Sequence, residues 1–122
     1  MGKENRKWSK KENEMYDLIT SVILYNSKYS DIEEYISQYF GKSINQKLVF
    51  VDNSEVDKIR EYINDIVGIN NYDIDYIFSG NNLGYGKGNN LAINKYLGQT
   101  KYFLISNLDI KFSIESIEQL IE

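Results

Sequence analysis

At 122 residues the chain has the length of one domain, enough for a buried core, and it carries neither cysteine nor histidine. That composition excludes disulfides, zinc fingers, thiol catalysis and serine–histidine dyads, so a metal would need oxygen ligands of the kind Mg2+ or Mn2+ accepts. The net charge of −4 is unevenly spread: the first fourteen residues hold five basic and three acidic groups, the remainder nine and fifteen, and such an acidic body argues against nucleic acid as a partner.

Residues 1–16 read as a flexible basic and polar tail, and 17–122 as the folded part. The basic head around Trp8 offers a peripheral contact to an anionic membrane surface, although a solvated terminus is the simpler expectation. No apolar run reaches membrane-spanning length, and Met1 to Glu14 lacks the apolar centre of a signal peptide. The expected location is therefore cytoplasmic, with at most peripheral association at the inner face of the membrane.

Leu18 to Tyr25 is apolar and β-branched, which predicts a first strand buried on both faces. Asn26 and Ser27 end it, and Ser30 or Asp31 opens a helix to Phe40 with Ile32, Tyr35, Ile36, Tyr39 and Phe40 on one face, stopped by Gly41. Lys47 to Asp52 predicts the second strand. Ser54 and Asp57 then resemble a capping box ahead of a helix carrying Val56, Ile59, Tyr62, Ile63, Ile66 and Val67. Asp73 to Phe78 is a third strand, less apolar and so nearer a sheet edge. Ser79 to Asn90 is a polar loop, spaced by Gly84, Gly86 and Gly88, that runs into a helical pattern of Leu91, Ala92, Ile93, Tyr96 and Leu97. Tyr102 to Ser106 is the fourth strand, and Ser113 caps a last helix with Ile114, Ile117, Leu120 and Ile121 on one face.

The order βαβαβαβα predicts an α/β fold, a parallel sheet with helices on both faces joined by right-handed crossovers. Ligands of such sheets lie beyond the carboxyl ends of the strands, where strand order reverses. That rule selects Tyr25 and Asn26, then Asp52, Asn53 and Ser54, then the glycine loop, and finally Asn107, Leu108 and Asp109. Glycines leave the loop's amides free to face an anion, and its last amides are expected at a helix N-terminus. Plainer roles exist for each: Asp52 can close an Asx turn or cap a helix, the glycines and asparagines can make only a turn, Asp109 can be a loop residue, Lys87 a solvated charge and Tyr25 a core residue. The glycine spacing fits neither the dinucleotide fingerprint nor a P-loop. Asp52 and Asp109 as a glycoside-hydrolase pair is a distant second.

Taken together, Ser21 to Asn26, Val51 to Ser54, Asn82 to Asn90 and Leu104 to Ile110 resemble, in order and spacing, the N-terminal half of family 2 glycosyltransferases with the GT-A fold, in particular the rhamnosyltransferase-like branch. The resemblance implies a GT-A, Rossmann-like sheet truncated to four βα units that binds a UDP- or dTDP-sugar. It implies that Asp52, with Asn53 beside it, meets the base, that Tyr25 and Asn26 line base and ribose, and that Asn82, Gly84, Lys87 and Asn90 lie along ribose and diphosphate. Asp109 matches the last acid of the family's DXD-like motif, the holder of Mn2+ or Mg2+. Asn107 replaces that motif's first acid and offers only a neutral oxygen. Asn89 stands where many members carry arginine, which leaves Lys87 as the nearest cation.

The family's catalytic base and acceptor segment follow the DXD-like motif. The implied function is therefore the donor-binding half of a transferase that acts on a polysaccharide or cell-envelope acceptor, inactive by itself. A non-catalytic nucleotide-binding or interaction module is the reading from another class. On the first reading the fourth strand lies at an open sheet edge and the last helix lacks partners for its apolar stripe, so self-association is expected.

Overall fold

A computed structural model describes residues 15–41 and 43–121. The tail assigned to residues 1–16, with Trp8 and its membrane contact, falls outside them except for Met15 and Tyr16. Strands β1 (Tyr16–Leu24), β2 (Gln46–Asp52), β3 (Ile74–Phe78) and β4 (Thr100–Ser106) alternate with helices α1 (Tyr29–Tyr39), α2 (Arg60–Asn70), α3 (Tyr85–Lys95) and α4 (Ile114–Ile121). All strand pairs are parallel, in the order β3-β2-β1-β4. The third and fourth strands thus form the two edges, as expected.

Alternation along each strand sorts its side chains onto two faces. One face sets Leu18, Val22, Leu24, Leu48, Phe50 and Tyr76 against α1 and α2, through residues such as Ile32, Tyr35, Ile36, Tyr39 and Ile63. The other packs Ile19, Val49 and Val51 under Ala92 of α3, with Ile23, Ile77, Tyr96 and Phe103 around them. Burying one such large apolar side chain stabilises by roughly 1.5–3 kcal/mol, whereas an exposed ion pair such as Lys101–Asp17 contributes about 0–1 kcal/mol. The two apolar layers therefore hold the fold.

Several boundaries differ from those the sequence predicts, among them the start of α1, which begins at Tyr29 after Lys28 with no side-chain cap rather than at Ser30 or Asp31. β1 starts at Tyr16, inside the stretch assigned to the tail, because its amide donates to the Gln99 carbonyl at 2.9 Å. Helix α2 starts at Arg60 rather than just after Ser54. Its first turn is capped by Asp57, which accepts from the Arg60 amide at 3.1 Å and from Arg60 Nε at 2.8 Å, and Val56 ahead of it is 60% exposed. Ser54 is taken up elsewhere: its Oγ accepts from the Asn26 amide at 2.7 Å.

Helix α3 starts at Tyr85, so the second half of the expected glycine loop is already helical. Its buried face is Gly88, Asn89 and Ala92, while Leu91 and Leu97 are exposed. Close approach to the sheet explains this, since a Cβ on Gly88 would lie 2.7 Å from Ile23 Cδ1. The stripe on α4 also has partners: Ile114 is buried, and Ile117 and Ile121 pack on the main core, leaving only Leu120 of the expected set exposed.

Candidate functional site

In register, β1 and β2 end together, with Leu24 opposite Asp52. Beyond them the chain is tied crosswise: the Asn53 amide donates to the Leu24 carbonyl at 2.8 Å, and the Asn26 amide reaches Ser54. Asn26 turns the chain with φ 48°, a left-handed conformation that asparagine tolerates. These ties open a cleft of about 470 Å3 whose lining includes Asn26, Asp52 and Ser54 from the strand ends and Tyr29, Val56 and Lys58 from the flanking segments. Tyr25 is 52% exposed and is not among the lining residues.

Asp52 does close an Asx turn, accepting from the Ser54 amide through Oδ1 at 3.0 Å. It does more than that. Oδ2 accepts from the Tyr76 hydroxyl at 2.5 Å, and the residue is 1% exposed while still lining the cleft. Burial, and then the hydrogen bond to Asp52 and the nearby charge, push the Tyr76 phenol far above its ordinary value, so at neutral pH it is a fixed donor. Sequence reasoning passed over Tyr76 among eleven tyrosines. One signal was available: it shares a strand face with Ile74 and Phe78, where a hydroxyl needs a partner.

Asn53 is buried and joins segments rather than facing the cleft. Its Nδ2 donates to the Gly84 carbonyl at 3.2 Å, and its Oδ1 accepts from Ser79 Oγ at 2.9 Å. Asn82 is exposed and accepts from the Gly84 amide at 3.1 Å. Gly84 has φ 84°, which suits glycine, and caps the start of α3; the first bond within the turn runs from the Gly88 amide to the Gly84 carbonyl at 3.0 Å. The amides of Tyr85, Gly86 and Lys87 therefore lie at the positive end of the helix, whose first turn holds no acid. Lys87 and Asn90 are exposed on this helix. Asn89 is buried, accepting from Ser21 Oγ at 2.6 Å and donating to the Tyr85 carbonyl at 3.0 Å.

Past β4, Asn107 and Asp109 are exposed in a turn closed by the Ile110 amide on the Asn107 carbonyl at 3.2 Å. Strand order reverses between β1 and β4, so this turn and the end of β1 flank the crevice where open α/β sheets take ligands. β1 separates β2 from β4, and two interstrand spacings put the strands of Asp52 and Asp109 roughly 10 Å apart. Among the described residues no group of three or more acids, histidines or cysteines could hold a metal alone. Asp109 with Asn107 fits a divalent cation only where ligand and water oxygens complete the shell.

The family model of Glycosyl transferase family 2 matches residues 21–122, which spans all four strand ends just described. The chain belongs to this family. Its sheet of four parallel strands with helices on both faces is the Rossmann-like architecture of the GT-A fold. A curated relative, the Low-salt glycan biosynthesis hexosyltransferase Agl10 of Haloferax volcanii, is 30% identical over 113 residues, 91% of this chain and 34% of the relative. The chain thus spans about a third of that protein's length. Glycosyl transfer is the chemistry of the family, and a nucleotide-sugar is the donor that membership implies in general.

Proposed function

We propose that this family 2 segment binds the nucleotide-sugar donor of a hexosyl transfer, with a UDP- or dTDP-sugar as ligand. The cleft at the joined ends of β1 and β2, one strand from the reversal of strand order, is the observation that carries the reading. It takes the nucleoside, with Asn26 and Asp52 on its wall. Ribose and diphosphate run past the start of α3, near Asn82, Gly84, Lys87 and Asn90, toward Asn107 and Asp109. A Mn2+ or Mg2+ ion held by Asp109 and the diphosphate oxygens would neutralise charge on the departing nucleoside diphosphate.

Hexose is proposed because the Haloferax volcanii relative is a hexosyltransferase, and the rhamnosyltransferase-like branch from Asn89. The acceptor is a polysaccharide or another cell-envelope glycan. No helix among the described residues is long and apolar enough to cross a membrane, and we place the protein in the cytoplasm with peripheral access to the membrane. Both carboxylates at the strand ends are assigned to the donor, so the segment alone is proposed to hold it without completing transfer.

Calorimetric titration with UDP and dTDP, with and without Mn2+, tests this. Binding is expected with either nucleotide and is expected to tighten with metal. Asp109→Asn should remove the metal dependence, while Asp52→Ala should weaken binding about tenfold, ~1.4 kcal/mol, in both conditions. Absence of binding at millimolar nucleotide overturns the reading. Measurable sugar transfer by this chain overturns its last part.

A further inference from the structure

Tyr76 on β3 reaches across to the end of β2, where its hydroxyl lies 2.5 Å from Asp52 Oδ2 and 3.2 Å from Asp57 Oδ1. A phenol has one proton, and the shorter contact takes it. Asp57 is engaged in turn by Arg60, whose Nε is 2.8 Å from Oδ2 and whose guanidinium carbon lies 5.0 Å from the centroid of the Tyr76 ring. Four side chains from β2, β3, the segment between β2 and α2, and α2 itself therefore close on one another. Arg60 offsets the second carboxylate, so the Tyr76 proton stays with Asp52.

The consequence is directional. With the Tyr76 hydroxyl on Oδ2 and the Ser54 amide on Oδ1, rotation of the Asp52 carboxylate would break both bonds. Both Asp52 oxygens accept in these bonds, so the wall of the cleft that Asp52 lines is an acceptor. On the donor-binding reading the base meets this wall, and uracil or thymine carries an imide N–H that can donate to it. Cytosine presents a ring nitrogen that is itself an acceptor, and two facing acceptors repel.

We propose that Tyr76 is a positioning residue which, by locking Asp52, makes the cleft prefer uracil or thymine nucleotides to cytosine nucleotides. The inference rests on the donor-binding reading above. Calorimetry on the whole chain with Mn2+ tests it, using UDP, CDP and inorganic pyrophosphate as probes against wild type and Tyr76→Phe. Wild type is expected to favour UDP over CDP tenfold or more. Tyr76→Phe should lose most of that preference through weaker UDP binding, with CDP and pyrophosphate changed less than twofold.

A merely structural role would weaken all three probes together, and that result overturns the proposal. An unchanged preference in Tyr76→Phe, or no preference in wild type, also overturns it while leaving donor binding intact. Failure of wild type to bind either nucleotide overturns both readings. Should Tyr76→Phe not fold, exchange of the Tyr76 hydroxyl proton in wild type decides: slowing on addition of UDP but not CDP supports the lock, and equal rates overturn it.

Discussion

The hydroxyl of Tyr35 is buried under α1 with no hydrogen-bond partner among the described residues, whereas that of Tyr39, one turn on, lies 2.8 Å from Thr20 Oγ1 and 3.0 Å from the Lys47 carbonyl. A buried unpaired hydroxyl costs about 1–3 kcal/mol, so Tyr35→Phe should be neutral or stabilise by up to ~1 kcal/mol. Tyr39→Phe should destabilise by ~1 kcal/mol, and urea midpoints read both. Burial also pushes the Tyr35 pKa up to about 12. Folding therefore favours the neutral phenol. Its contribution is complete below the free-tyrosine value of ~10 and is lost as pH rises through about 12. Tyr35→Phe should accordingly flatten the fall of stability in that window.

Helix α3 owes its seat on the sheet to one glycine and not to its neighbour. A Cβ at Gly88 would meet Ile23 Cδ1 at 2.7 Å and Asn53 Nδ2 at 3.0 Å, whereas one at Gly86 meets nothing within 4 Å. Alanine gains roughly 1 kcal/mol of helix propensity at either site, but overpacking costs about 1–3 kcal/mol. Gly88→Ala should therefore destabilise and Gly86→Ala stabilise, as thermal melts of the pair would show. At the sheet's edge, β4 pairs with β1 alone among the described residues, and Ile105 is 43% exposed. Such an edge is expected to self-associate. Leu104 packs against the main core, so a lysine there would break packing; Ile105→Lys is the substitution expected to reduce association in sedimentation. A wild-type monomer at high concentration overturns this expectation.

At the scale of the whole molecule the two faces of the sheet are unequally covered, with α3 the one helix packed on the second among the described residues. Asp75 on β3 fastens it: Lys95 Nζ lies 2.7 Å from its Oδ2, and the Tyr96 hydroxyl donates to the same oxygen. Burial pushes the Asp75 carboxyl up, but the bonds from Lys95 and Tyr96 and the charges of Lys95 and Lys47 outweigh it and hold the pKa below the ordinary value. A carboxyl so depressed contributes stability above its unfolded value of ~3.9, and loses it as pH falls through the native one. Stability should thus fall below about pH 4, with Asp75→Asn flattening the fall. Amide exchange should show α3 opening before α1 as pH drops. Simultaneous opening would show that the tie is not selective.

The alternation of four strands with four helices was legible because it rests on local signals: apolar runs of strand length, helical spacing, and asparagine, serine or glycine at the turns. Family membership was legible for a related reason, since its motifs fall at the strand ends that the alternation already locates. What the sequence left open depends on groups far apart in the chain. Ser54 looks like a helix cap until the Asn26 amide, 28 residues earlier, takes its hydroxyl. Hydrophobicity turns Leu91 and Leu97 inward, yet the helix buries Gly88 and Asn89, because small size and a buried hydrogen bond with Ser21 let it sit closer to the sheet. Tyr76 was one tyrosine among eleven until β3 took its place beside β2 and brought its hydroxyl to Asp52. The edge positions of β3 and β4 were legible, but which inner strand each one joins was decided only in three dimensions: either could pair through its backbone, and packing of the two side-chain layers selects β3-β2-β1-β4.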